Sequence, residues 1–271
     1  MNKYWTLLFY LIFHQTYFSQ IIFDQGATST AIVGASVTQT NLWSINNNIG
    51  SLSSIEGVQA GFSFNNRFLV SDFSTNTAAF AIPFNNAAVG LIYSNYGNEN
   101  YQIHKVGAGY SMRLGDNISG GLKFNYLLLN LGDFYGSKSI FSADLGLNAK
   151  LNSDLKMGVI IKNPTLSKIA DFEDERIPTI IQLGFDYSVS KQLNTIIAIE
   201  KDILYAASVK AAIIYSPIEK MTIRAGVGTY PTSFGFGLGT SYKNVFFDLG
   251  TQYHQVLGFS PELSITTNFH K

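Results

Sequence analysis

The chain has 271 residues, 18 Lys plus Arg against 18 Asp plus Glu, and no cysteine, which excludes disulfide frameworks, thiolate metal sites and cysteine nucleophiles. Only 13% of residues are charged while 14% are aromatic; an ordinary soluble domain carries about 25% charged residues. Neutral net charge and a pI near 6.9 leave no basic footprint for phosphate neutralisation, so nucleic acid is excluded as a partner.

Residues 1–19 carry one cation, Lys3, then an apolar run from Trp5 to Phe13 and a small residue at Ser19. That is the pattern of a secretory signal peptide. The run is too short to cross a bilayer as a helix, which takes roughly 20 apolar residues. Every later apolar run is short and broken by Gly, Asn, Asp or Lys, so a helical membrane protein is excluded.

Residues 26–56, the greater part of the segment 20–56, are rich in Gly, Ser, Thr and Asn, lack sustained alternation, and yet are too apolar for a disordered tail. Ahead of a barrel, such a segment is expected to fold into the lumen as a hatch, with Ile32, Val33, Leu42, Trp43 and Ile45 packing there. A short periplasmic arm is the alternative. Candidate hatch and lumen residues are Trp43, Asn47, Asn48, Gly50 and Leu52, with Arg113, Asp144 and Arg224 from the wall.

From residue 57 to 271 one unit recurs, some ten residues alternating apolar with small or polar, then a turn. In 141–151, Phe141, Ala143, Leu145, Leu147, Ala149 and Leu151 share one parity. Ser142, Asp144, Gly146, Asn148 and Lys150 share the other. Successive strand side chains point to opposite faces, so one face is apolar and the other polar. Segments at 57–66, 75–84, 87–95, 101–114, 117–129, 139–151, 154–163, 178–190, 193–201, 206–216, 220–229, 233–242, 244–254 and 260–269 read as about fourteen strands. The second, fourth, sixth, eighth, tenth and twelfth connections are tight turns, while the odd ones are mostly longer. Short periplasmic turns and longer external loops place both termini in the periplasm. The polar face is mostly Gly, Ser, Asn and Thr, which suits a lumen better than the charged outer face of a soluble sandwich. The expected fold is all-β: a transmembrane antiparallel barrel of about fourteen strands with an N-terminal hatch segment in the lumen, embedded in outer-membrane lipid after signal cleavage.

Chemistry-bearing motifs are sparse. No nucleophile elbow, phosphate loop or His-Glu-x-x-His helix is present, so no catalytic residue, cofactor or metal site is expected. Asp248, His254 and Glu262 share lumen parity, but six residue steps along the strand separate Asp248 from His254 by roughly 20 Å. The acidic stretch Asp171-Phe172-Glu173-Asp174-Glu175-Arg176 reads as a solvated external loop, with a divalent cation as the alternative. The inward charges Lys105, Arg113, Lys123, Asp144, Lys150, Asp186 and Arg224 suggest cross-lumen ion pairs stabilising a hatch, or a selective pore. The apolar external loop 255–261, with Leu257, Phe259 and Pro261, is expected either to pack over the lumen mouth or to present an edge to a partner.

The run GATSTAIVGASV followed by NNNIGSLSSIEGV resembles the Gly-rich opening and Asn-Pro-Ala-Gly-Leu element of the FadL-like superfamily. With IPTIIQLGFDYSVS, MTIRAGVGT and FGFGLGTSYKNVFFDLGTQYHQVLGFSPELSITTNF it is more closely similar to the PorV/PorQ branch. Asn48-Ile49-Gly50 stands where the family often has Asn-Pro-Ala, and His270-Lys271 follow Phe269. The resemblance implies a non-enzymatic accessory barrel of type IX secretion or surface attachment in Bacteroidota, with translocon or cargo proteins as partners. Its alternative is a FadL-type transporter carrying a hydrophobic small molecule through the lumen.

Overall fold

In a computed structural model of the chain, residues 25–132, 136–168 and 176–269 are described. The signal-like segment 1–19 and the acidic residues 171–175 lie outside them. Two short helices, α1 (Ala27–Ala31) and α2 (Ser44–Asn47), and a 3-10 helix (Ile49–Ser54) precede fourteen strands. The strands are β1 (Val58–Asn66), β2 (Ser74–Phe84), β3 (Ala87–Asn98), β4 (Tyr101–Arg113), β5 (Ile118–Asn130), β6 (Ser137–Lys150) and β7 (Leu155–Lys162). They continue as β8 (Ile180–Ser188), β9 (Leu193–Asp202), β10 (Ser208–Ile218), β11 (Met221–Thr229), β12 (Thr232–Tyr242), β13 (Val245–His254) and β14 (Gly258–Phe269).

Each strand pairs antiparallel with its chain neighbours, and β14 returns to β1 in the register Phe62↔Ile265, closing the barrel. Closure leaves no open edge, the condition for β-structure in hydrocarbon. The period-two pattern decides which face is which. On β6, Phe141 is 71% exposed on the outside, while Asp144 is 2% exposed inside. Phe124 and Ile197 are likewise outward, at 63% and 60%. An apolar belt this open belongs against lipid.

The even connections are tight, and Asn85 and Lys243 take the positive φ that a two-residue hairpin turn needs at its first position. Two odd connections, 99–100 and 230–231, are as short as the turns. The loop expected at 255–261 shrinks to 255–257, because Gly258, at φ +87°, starts β14 two residues early. Phe259 therefore pairs with Tyr253 across the ladder, and Pro261 with Thr251. Phe259 faces outward and is exposed.

The segment 25–55 lies inside the barrel, not beside it, which excludes the arm. Its apolar side chains Ile32, Val33, Leu42, Trp43, Ile45, Ile49 and Leu52 are buried. Leu42, Trp43, Ile45, Ile49, Leu52 and Ile55 form one core with Ala79, Ala81, Ala88 and Ile92 of the wall. Backbone meets backbone where wall glycines face the hatch. A Cβ at Gly121 would come within 2.7 Å of the Ile49 carbonyl oxygen, and one at Gly226 within 2.7 Å of the Ile32 carbonyl carbon. Glycine is the side-chain-free choice for such an approach.

Candidate functional site

Among the polar contacts that fasten the hatch to the wall, two gather several groups each. At the first, α2 presents the Asn46 side chain, whose Oδ1 accepts from Lys105 Nζ and Lys123 Nζ, each at 3.0 Å. Lys123 lies opposite Asp144 in the β5–β6 register and pairs with it at 2.9 Å, both side chains almost wholly buried. Asn125 Nδ2 donates to the same carboxylate at 3.0 Å. At the second, the buried Glu262 on β14 accepts from Gly26 N of the hatch at 2.9 Å and from the Thr30 hydroxyl of α1. The same carboxylate accepts from the Ser63 hydroxyl and from Asn65 Nδ2 of β1.

Among the residues singled out in the sequence, Asn47 exchanges two hydrogen bonds with the Gln25 backbone. Asn48 Nδ2 donates to the carbonyls of Val37 and Leu147, at 2.6 and 3.0 Å, and its Oδ1 accepts from Gly50 N. Gly50 lies on Gly146, where a Cβ would come within 2.6 Å of the wall carbonyl. Trp43 and Leu52 are in the hatch core. Arg224 Nη1 donates to Asp248 at 2.8 Å on the inner wall. Arg113 and Lys150 stand exposed at the turn ends of β4 and β6, despite their inward parity. The ion pairs Lys123–Asp144, Lys210–Glu200 and Arg224–Asp248 run along the wall between near strands, because the hatch occupies the middle of the lumen.

The upper lumen has two unlike sides, an apolar cluster and a polar cavity. On the β4–β6 side, Ile103, Leu127, Leu129 and Ile140 face inward and form an apolar cluster with Ile177, against which Tyr96 and Leu131 pack. Ile177 comes from the β7–β8 connection. Beside it the wall changes character: β6 pairs with β7 only from Asp144↔Lys162 to Lys150↔Lys156. From Ser137 to Ala143, β6 has no β7 partner. Its flank is met there by the connection, through Asn163 N to Ala143 O at 3.0 Å and Ser167 Oγ to Phe141 O at 2.5 Å.

Asn163 organises this connection. It is fully buried and takes φ +52°, a left-handed conformation that Asn tolerates better than most residues. Its Nδ2 donates to Ile177 O at 2.9 Å, its Oδ1 accepts from Ser167 N and the Thr165 hydroxyl, and its backbone N donates to Asp144 Oδ1 at 3.2 Å. Neither Asn163 nor Ile177 was singled out in the sequence. The one available signal was an Asn-Pro step after a strand, which is ordinary turn chemistry.

The second side is polar, a cavity of about 160 Å³ bordered by Arg67, Lys162, Glu200, Lys210, Gln252 and His254. Glu200 is held by Lys210 at 2.8 Å and by Gln182 at 3.1 Å. Burial pushes the Arg67 guanidinium down to about 10, so it is still a cation at neutral pH. His254 Nδ1 accepts from the amides of Val256 and Leu257, each at 3.2 Å, and so closes the β13–β14 turn. Asp248, His254 and Glu262 are each committed to a different partner and form no catalytic constellation. Among the described residues no group of three His, Asp or Glu side chains is placed to hold a metal ion.

No protein-family model and no curated protein matches the sequence. Solved structures do. The toluene transporter TbuX of Ralstonia pickettii superposes with a TM-score of 0.71 at 12% identity, over 92% of this chain and 100% of that one. The toluene transporter TodX of Pseudomonas putida gives 0.66 at 13%, over 92% and 100%. A FadL homologue of Pseudomonas aeruginosa gives 0.62 at 13%, over 91% and 98%. At this identity the likeness is one of fold, and the chain accordingly has the closed fourteen-strand barrel of the FadL-type outer-membrane transporters.

Proposed function

We propose that the protein is an outer-membrane channel for hydrophobic small molecules, exported by the signal at residues 1–19, with residues 20–56 as the hatch. The observation that carries this reading is the apolar cluster of Ile103, Leu127, Leu129 and Ile140, packed around Ile177 and set beside the stretch of β6 that has no β7 partner. An apolar solute gains by leaving water for such surroundings. The interrupted ladder is the place where a passage between lumen and membrane would break the fewest backbone hydrogen bonds. Ile177 is packed in the cluster in the present conformation, so passage requires its displacement. The fold shared with two toluene transporters supports the same reading.

The test is uptake of isotope-labelled naphthalene by cells whose intact outer membrane contains this barrel. The wild-type chain should speed uptake over an empty control, and Ile140→Asn should slow it again. Equal uptake with and without the barrel would overturn the proposal.

A second reading, an accessory barrel of type IX secretion, rests on the PorV/PorQ resemblance and on one observation. Val256 and Leu257 form an exposed apolar tip on the β13–β14 turn, 67% exposed at Val256, which suits a protein partner. Near-stoichiometric recovery of translocon or attachment proteins with the tagged barrel from native membranes would favour it. Recovery of a lone barrel would count against it.

A further inference from the structure

A line of polar contacts joins the hatch to Ile177 in the apolar cluster. It starts at Asn46 on α2, passes through Lys123 at 3.0 Å and Asp144 at 2.9 Å, and reaches the Asn163 amide at 3.2 Å. From there Asn163 Nδ2 reaches the carbonyl of Ile177 at 2.9 Å. Every side chain on the line is buried: Asn46, Lys123, Asp144 and Asn163. In a low-dielectric interior such bonds are costly to leave unmade, so a member that moves must take its partners along or strand them.

The two oxygens of Asp144 face different ways. Oδ2 is engaged by Lys123 and Asn125, while Oδ1 accepts from the Asn163 backbone. Lys123 in turn divides its ammonium between Asp144 and the hatch.

We infer that Asp144 and Asn163 are positioning residues that couple the seat of α2 in the lumen to the closed position of Ile177. When the hatch releases Lys123, the ion pair loses its third partner, and the Asn163 clamp on Ile177 loosens with it. Conversely, withdrawing Ile177 frees Asn163 and weakens the fixture that holds Lys123 toward Asn46. The apolar cluster and the hatch thereby respond to one another over a path built from four side chains. Its place in transport rests on the uptake reading, whereas the coupling itself does not.

Hydrogen exchange of the full chain in phospholipid nanodiscs, without any added solute, tests the coupling in both directions. Asn46→Ala perturbs only the hatch end, and it should speed exchange of the amides at 176–180 by about fivefold or more, the lower end of ordinary site-to-site coupling. Asn163→Ala perturbs only the far end and should do the same to the amides at 44–50. Removing both charges of the pair with Lys123→Met plus Asp144→Leu, which leaves neither partner behind as an unpaired buried ion, should abolish both cross-effects. Should that double variant fail to show heat-modifiable migration, the two single variants still decide the matter, since each leaves the ion pair in place. Remote amides that do not respond, or cross-effects that persist without the ion pair, would overturn the inference. Naphthalene uptake by the wild type separates the two proposals. Cross-effects without uptake would remove the transport reading alone, and uptake without cross-effects would remove the coupling alone.

Discussion

Replacing Gly226 or Gly121 by Ala probes how closely the hatch lies against the wall. At Gly226 the added Cβ would stand 2.7 Å from the Ile32 carbonyl carbon and 2.8 Å from its Cα, where ordinary contact begins at 3.4 Å. The hatch backbone must therefore retreat by 3.4 − 2.7 = 0.7 Å. Gly121 makes the same demand on Ile49, whose carbonyl oxygen would lie 2.7 Å away. Overpacking of this kind costs about 1–3 kcal/mol, offset by about 0.5–1 kcal/mol for removing a glycine from a strand. The net loss at each site is up to about 2.5 kcal/mol. Gly120 is the matched control, since it faces outward and a Cβ there would meet only the ends of the Leu114 and Leu147 side chains, at 3.1 Å. Those chains can turn into the lipid, so Gly120→Ala should be neutral or stabilising by about 0.5–1 kcal/mol. Urea unfolding from phospholipid vesicles, followed by the fluorescence of Trp43 in a chain lacking residues 1–19, reads all three. If Gly226→Ala and Gly121→Ala prove as harmless as Gly120→Ala, the hatch does not lie on these positions.

Leu145→Arg, on the lipid face of β6, should cost about 2–4 kcal/mol if it lies at mid-membrane, measured by the same unfolding. Asp144→Ala leaves Lys123 buried without its carboxylate and should cost about 3–5 kcal/mol, far more than the exposed Lys150→Ala. Glu262→Leu strips four donors of their acceptor, and each costs about 1–3 kcal/mol when stranded, so the heat-modified gel form should appear at markedly lower temperature. Because the hatch core fills the lumen, planar bilayers containing the wild-type barrel should show no stable ion conductance. Steady channel steps would contradict a seated hatch.

The strands were legible because water-like and lipid-like surroundings lie on opposite sides of one sheet, and period two records that difference residue by residue. The burial of Ile32, Leu42, Trp43 and Ile45 was legible for a related reason, as apolar groups in a segment with no strand of its own. Partner choice was not legible. Asn46, the hatch residue that two lysines grip, is flanked in sequence by others of the same kind, and only the three-dimensional path of α2 selects it. Asn163 and Ile177 sit in a connection whose course depends on β6 outlasting β7. Phe259 was read as loop and the last strand as starting at residue 260, yet Gly258 with its positive φ starts the strand before them. Arg113 and Lys150 had lumen parity, but parity carries no information on depth, and both fall where the barrel meets water.

Glu262 also bears on the order in which this molecule assembles. Its carboxylate takes donors from β1 and from the hatch while standing on β14, so it bridges the first strand, the last strand and the lumen segment at the one seam that joins the chain's ends. A barrel that zipped this seam over an empty lumen would shut a carboxylate inside with half of its donors missing. Sealing β14 to β1 ahead of α1 is therefore costly, which favours docking the hatch while this seam is still open.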